Sequence, residues 1–232
     1  MTLLEEIEKI VGNNGIIFGE DVFNRKAGIW IDDGIRADAI VRPKNTEELS
    51  KVLSICNQLN QEVIPHGGLT GLAEGAISKK GQIAISSERM KDIEEIDEIG
   101  RTITVQAGVP LERVQEEAEK YNLMLAVDLG ARGSCTIGGN ISTNAGGNMV
   151  IKYGMMRDSV LGLEAVLADG KVVTSMNQML KNNSGYDLKQ LFIGTEGTLG
   201  FVTKAVLRLR EKPKSINTAL LGLDSFAQVI KL

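Results

Sequence analysis

Three short windows hold the residues best suited to chemistry, and they offer backbone more than side chains. More than half of the 26 glycines fall within residues 65–75, 130–147 and 185–200, where the chain must turn sharply or approach something closely. The first window reads Pro65-His66-Gly67-Gly68-Leu69-Thr70-Gly71-Leu72 and follows the strand-like Val63-Ile64. Its glycines let successive N–H groups converge on one anion as a nest, with a diphosphate as the natural occupant. A plain tight turn is the alternative. The loop has neither the GxxxxGK[ST] of a Walker loop nor the GxGxxG of a dinucleotide turn.

The second window runs from Asp128 through Ser134, Cys135, Thr136, Ile137, Gly138, Gly139, Asn140, Ser142, Thr143 and Asn144 to Gly146 and Gly147. Small and amide residues there can bring backbone against a flat ligand while hydroxyls and amides fix its polar edges. The window is too polar and glycine-rich to predict regular structure, and a long structureless loop inside a compact domain points to function. The third window, Gly194-Thr195-Glu196-Gly197-Thr198-Leu199-Gly200, leads into a long strand that holds Val202. Together the three suggest one extended ligand.

Side-chain chemistry is sparse. The single histidine, His66, excludes a multi-histidine metal site and any Ser-His-Asp triad not built on that ring. Inside a turn that cradles phosphate, it is expected to serve through its backbone rather than as a base. Cys56 and Cys135 lie far apart and form no CxxC pair, so neither a disulfide framework nor a zinc knuckle is expected. Arg132, Lys152 and Arg157 flank the second window and are expected to be solvated charges. No catalytic residue and no metal ligand set is assigned, and the chemistry is expected to belong to a cofactor.

The elements that must position these loops follow from periodicity. A short amphipathic helix (Leu4, Ile7, Ile10, Val11) opens the chain, and irregular chain is expected from there to residue 35, as an N-terminal extension. A strand from Ala39 leads to the cap Asn45, a helix with Leu49, Val52, Leu53 and Cys56 on one face, a strand at Val63 and another at Gln82–Ser86. Ile93 to Gln106 alternates as a hairpin around Gly100. Pro110 begins a helix with Leu111, Val114, Ala118 and Tyr121, followed by a strand from Leu123 to Val127. Asp169-Gly170 predicts a two-residue hairpin turn, and Leu199 to Leu209 a long strand. A strand at Thr218 to Leu223 and a helix capped by Ser225 close the chain. The mixture argues for α+β.

With 232 residues and 43% hydrophobic content the chain fits one or two soluble globular domains. A net charge of −4 gives no basic field for nucleic acid. Apolar runs are strand-sized, so no integral membrane segment is expected, and cytoplasmic placement is the default.

The ordered motifs Pro65-x-Gly-Gly-x-Thr-Gly-Leu72, Thr136-Ile-Gly-Gly-Asn140 with Asn144-Ala-Gly-Gly147, and Gly194-Thr-Glu-Gly-Thr-Leu-Gly200 resemble the vanillyl-alcohol oxidase type (PCMH-type) FAD-binding fold. With Val160 to Gly170 and Ser184 to Gly194, the resemblance is nearest to the D-2-hydroxyglutarate and D-lactate dehydrogenase branch, over about Val41 to Leu223. It implies FAD between two α+β subdomains, the first loop on the pyrophosphate and the later loops around isoalloxazine and ribityl. The implied cofactor-binding set is Pro65 to Leu72, Asp128, Ser134 to Gly139, Ser142, Thr143, Asn144, Gly146, Glu196, Gly197 and Val202.

Families that attach flavin covalently use a histidine in or near these loops. Here the glycine turn reads Leu69-Thr70, so noncovalent FAD is expected. The resemblance also implies oxidation of a small D-2-hydroxy acid, an electron-transfer flavoprotein or quinone as acceptor, and possible homodimers. The implied division is residues 1–35 as extension, 36–214 as the FAD domain and 215–232 as the start of a truncated cap domain. A noncatalytic flavin-binding subunit or fragment needing a separate cap chain, or a glycolate oxidase-type subunit, is the alternative.

Overall fold

The computed structural model describes residues 2–31 and 33–232. Two sheets carry the fold. The first is built from β1 (Ile16–Phe18), β2 (Ala39–Val41), β3 (Val63–His66) and β4 (Ile83–Ser86) in the order β1-β2-β4-β3. β4 runs parallel to both β2 and β3, and β1 is antiparallel to β2. Alternate residues of these strands point to opposite faces, so Ala39, Val41, Ile83 and Ile85 face one core and Ile40 and Ala84 another.

The first face is covered by α1 (Leu3–Val11) and α3 (Thr46–Gln58), which bury Ile7, Val11, Leu49, Val52, Leu53 and Cys56. The Asn45 side chain accepts from the Glu48 amide at 2.8 Å and caps α3. The opposite face is covered by Val22 of the short α2 (Glu20–Phe23) and by Ala27, Ile35 and Ala37 of the chain after it. The irregular chain expected up to residue 35 is therefore corrected. The apolar triplet Ile16–Phe18 is an edge strand, and the residues after α2 roof the sheet.

The second sheet is antiparallel, in the order β5-β6-β10-β8-β9, from β5 (Ile93–Asp97), β6 (Thr102–Gln106), β8 (Val160–Val166), β9 (Val172–Ser175) and β10 (Phe201–Arg208). One face packs its Ile103, Val105, Leu163, Ala165, Ala205 and Leu207 against α4 (Leu111–Glu119) and α5 (Ile137–Ser142). The other face meets α3. There the Glu164 carboxylate accepts from Thr46 Oγ1 at 2.6 Å and Thr203 Oγ1 at 2.8 Å, which ties the two layers together.

Several local expectations are revised. Of the expected strand Leu123 to Val127, only β7 (Leu123–Met124) pairs, with β11 (Arg210–Glu211), because Leu125, Ala126 and Val127 turn into the core instead. Tyr121 lies beyond α4 and is partly exposed. The β8–β9 turn has one positive φ, at Gly170 (86°), and none at Asp169. Gly170 donates to Leu167 at 2.9 Å, so the connection is a three-residue loop ending in a glycine bulge. Residues 218–223 form no strand and are exposed, since no sheet edge meets them. The last helix, α8 (Phe226–Lys231), follows Ser225. Two short helices, α6 (Val150–Tyr153) and α7 (Met156–Ser159), connect the second window to β8.

Candidate cofactor-binding site

The three windows converge on one cavity of about 710 Å³ between the two layers. Every residue from Pro65 to Ala76 lines it, from the last two residues of β3 onward, and the first layer adds Ala27, Ile31 and Ser87. The second layer contributes Ala107, chain on both sides of α5, and Glu196, Gly197, Phe201 and Val202. The volume lies in the range of small-molecule and cofactor sites.

The first loop is held at its ends and open along its length. His66 is 2% exposed, and its Nε2 lies 2.9 Å from the Ala76 carbonyl oxygen. A carbonyl only accepts, so Nε2 is the donor and the ring staples the loop. Burial pushes the imidazole pKa below its ordinary 6.5, against the opposing pull of the Ala76 carbonyl and Glu88. Among the described residues, no protein acceptor meets the backbone N–H groups of Gly67 through Ala76. Unpaired backbone donors lining a cavity are costly unless something else accepts from them.

Loop packing explains the glycines. A Cβ at Gly68 would stand 2.1 Å from the Ser134 carbonyl oxygen and 2.9 Å from Cys135 Cα, so the first loop lies against the second with no room for a side chain. The third loop closes on the same place. Gly197 has φ +80°, and a Cβ there would stand 2.6 Å from Pro65 Cγ. Glu196 donates its amide to the Ser142 carbonyl at 2.7 Å.

The second window is not structureless. α5 occupies Ile137–Ser142 despite two glycines, because Gly138 packs against Ala107, where a Cβ would stand 2.7 Å from the alanine Cβ. Close approach to β6's end outweighs glycine's poor helix propensity of about 1 kcal/mol. Cys135, Thr136, Gly138, Gly139, Ser142 and Thr143 line the cavity. Ser134 lines an adjoining one.

Four expected residues lie elsewhere. Ile137 is fully buried in the second-layer core. Asp128 pairs with Arg132 at 3.4 Å, and its backbone lies against Gly147. Asn144 accepts from the Arg157 amide at 3.0 Å, and Gly146 lies against Val150 and Met155. None of these four lines the cavity.

Arg157 also corrects the expectation of a solvated charge. It is partly buried and donates to the Gln190 carbonyl at 3.2 Å and the Ile193 carbonyl at 2.6 Å, which joins the second window to the third. Lys152 stays exposed, 5.0 Å from the Tyr153 ring centroid. Cavity residues missed in the sequence include Asn140, which stood inside a quoted motif, and Glu74 to Ala76, which continue the first loop. Ala27, Ile31 and Ser87 carry no motif signal.

The residues fit a flavin dinucleotide. A run of free amides suits phosphate oxygens, small apolar walls suit a planar ring, and the buried Thr136 Oγ1 has no partner among the described residues. An orphaned hydroxyl beside a cavity awaits a polar ligand atom. Among the described residues no group of three or more His, Cys, Asp or Glu could hold a metal ion.

Residues 37–175 match the FAD binding domain family. The chain belongs to that family. It is 46% identical over 195 residues to D-2-hydroxyglutarate dehydrogenase, mitochondrial, of Danio rerio, covering 84% of this chain and 37% of that protein. It is also 46% identical over 188 residues to D-2-hydroxyglutarate dehydrogenase of Xanthomonas citri, covering 81% and 40%. A putative mitochondrial D-lactate dehydrogenase of Schizosaccharomyces pombe is 40% identical over 191 residues, covering 82% and 36%.

The chain thus spans about two fifths of the length of these curated relatives. Among solved structures, alkyldihydroxyacetonephosphate synthase superposes with a TM-score of 0.80 at 22% identity, over 92% of this chain and 41% of that one. The BBE-like 1 protein of Physcomitrella patens gives 0.75 at 20%, over 91% and 45%. The fold of this FAD-binding domain is therefore the α+β PCMH-type arrangement. No helix of the described residues is long and apolar enough to cross a membrane.

Proposed function

We propose that this chain is the FAD-binding part of a D-2-hydroxy-acid dehydrogenase that takes D-2-hydroxyglutarate or D-lactate to the 2-oxo acid. The observation that carries it is 46% identity, over most of the chain, to proteins named D-2-hydroxyglutarate dehydrogenase. When bound, FAD supplies the hydride acceptor for such an oxidation.

The chain's own residues bind, orient and exclude water. The amides from Gly67 to Ala76 hold the diphosphate, Thr136 Oγ1 meets a polar atom of the ligand, and Ala107, Ala145 and Phe201 pack on its apolar parts. Residues of the second and third windows complete the site, with Asp128, Asn144 and Gly146 supporting it from outside the cavity, Asn144 through its side-chain oxygen on the Arg157 amide. His66 is committed to Ala76, so it serves as a staple and the cofactor is held noncovalently. Residues 36–214 act as the FAD domain, with chain beyond 215 belonging to a substrate-binding part.

The same proposal includes an electron-transfer flavoprotein or quinone as acceptor and a homodimeric assembly. Two buried free thiols suit a reducing compartment such as the cytoplasm, although relatives from Danio rerio and Bos taurus are named mitochondrial. Anaerobic mixing of the flavin-loaded chain with D-2-hydroxyglutarate, D-lactate and glycolate tests the activity. The isolated chain is expected to hold FAD and turn over little, and activity is expected to appear in the same chain extended to the length of its relatives. A full-length protein that oxidises none of the three acids contradicts the assignment.

A further inference from the structure

The main cavity has an unbalanced charge for an anionic ligand. Glu74 and Glu196 line it, and among the described residues no lysine or arginine does. Loop amides supply only partial positive charge, while two carboxylates repel a diphosphate in a medium less polar than water.

A second cavity of about 700 Å³ lies against the same loop. It shares Gly68, Leu69 and Thr70 with the first and is also lined by Lys26, Gly28 and Ile29. Lys26 is its only charged residue among the described ones. The backbone that carries Lys26 is fixed on both sides. Arg25 makes two hydrogen bonds to the Glu88 carboxylate, at 2.6 and 3.3 Å, and its carbonyl accepts from Ile35 at 2.8 Å. Lys26 itself pairs with Gly34 as an isolated bridge, and Ala27 is buried at 4% exposure while lining the main cavity.

We infer that Lys26 is the cation of the diphosphate site, set beside the Gly68 to Thr70 amides by the segment after α2. It offsets Glu74 and Glu196 and makes the site prefer phosphate-bearing flavins over riboflavin. The inference rests on the FAD reading above, and its test separates the two.

Fluorescence titration of the cofactor-free chain with FAD and with riboflavin, for wild type, Lys26→Gln and Lys26→Arg, reads the effect. Losing one charge-assisted contact is expected to weaken FAD binding by about tenfold in Lys26→Gln, with Lys26→Arg near wild type and riboflavin affinity unchanged. The fall of FAD affinity between low and high salt is expected to be shallower in Lys26→Gln than in wild type. Unchanged FAD affinity and salt slope in Lys26→Gln would overturn the inference, as would an equal loss for FAD and riboflavin, which marks a merely structural residue. A wild-type chain that takes up no FAD overturns the site assignment itself.

Discussion

The imidazole Nε2 of His66 and the carbonyl oxygen of Ala76 lie 2.9 Å apart, so the glycine loop is closed by the last residue of β3. Burial holds the ring pKa below its ordinary 6.5. In the pH window from 6.5 down to that lowered value, the unfolded chain binds a proton that the folded one refuses. Stability is therefore full above pH 6.5 and falls as the pH drops through the window. Thermal melts from pH 7.5 to 5 should show a steeper fall for wild type than for His66→Gln, whose amide can keep the bond to Ala76 without titrating. Parallel pH profiles would reject the buried neutral imidazole.

Gly68 and Gly71 should behave oppositely when replaced by alanine. A Cβ at 68 meets the Ser134 carbonyl oxygen at 2.1 Å, whereas one at 71 meets nothing within 4 Å. Relieving the first overlap forces the first and second windows apart, at a cost of about 1–3 kcal/mol. Gly68→Ala is expected to weaken FAD at least tenfold, roughly the effect of 1.4 kcal/mol, and Gly71→Ala to bind as wild type. Equal affinities for the two variants would show that loop contact does not shape the site.

Glu88 anchors the segment that roofs the first sheet. Burial pushes its carboxyl pKa up, but hydrogen bonds from Arg25 and Arg42 outweigh that and hold it below the ordinary 4.5. Its contribution is thus present above pH 4.5 and lost as pH falls through the lowered value. Glu88→Gln at neutral pH leaves both guanidinium groups without a carboxylate. At partial exposure this is expected to cost about 1–2 kcal/mol in urea unfolding and to speed protease cleavage within residues 24–34. Unchanged cleavage there would contradict the anchoring role.

Both thiols should be inert in the native state. Burial pushes Cys56 up to about 11 and Cys135 above its ordinary value, so little thiolate is present at neutral pH. Ellman's reagent is expected to react only after denaturation, and rapid labelling of either thiol in the native chain would show that the packing around α3 or α5 opens readily.

The parts of this fold written in local sequence were readable. Asn45 announces α3, Gly100 the β5–β6 turn, and the His66-Gly67-Gly68 run the loop after β3. Features that depend on distant partners were not. Ile16–Phe18 becomes a strand only because Ala39–Val41 offers it an edge, and α5 forms across Gly138 and Gly139 because Ala107 lies beneath. Thr218 to Leu223 has strand-like composition and meets no partner strand. At the site, the three windows supplied most of the lining, while Ala27, Ile31 and Lys26 reach it through tertiary packing of a segment with no motif.

Cofactor identification on the purified chain decides whether the Gly67 to Ala76 amides hold the diphosphate of a bound FAD. The expected result is a yellow protein that releases FAD, one equivalent per chain, on denaturation, and a cofactor-free form that regains it with higher affinity than riboflavin. A chain that purifies colourless and shows no saturable FAD binding, or that binds FAD and riboflavin equally, would contradict it.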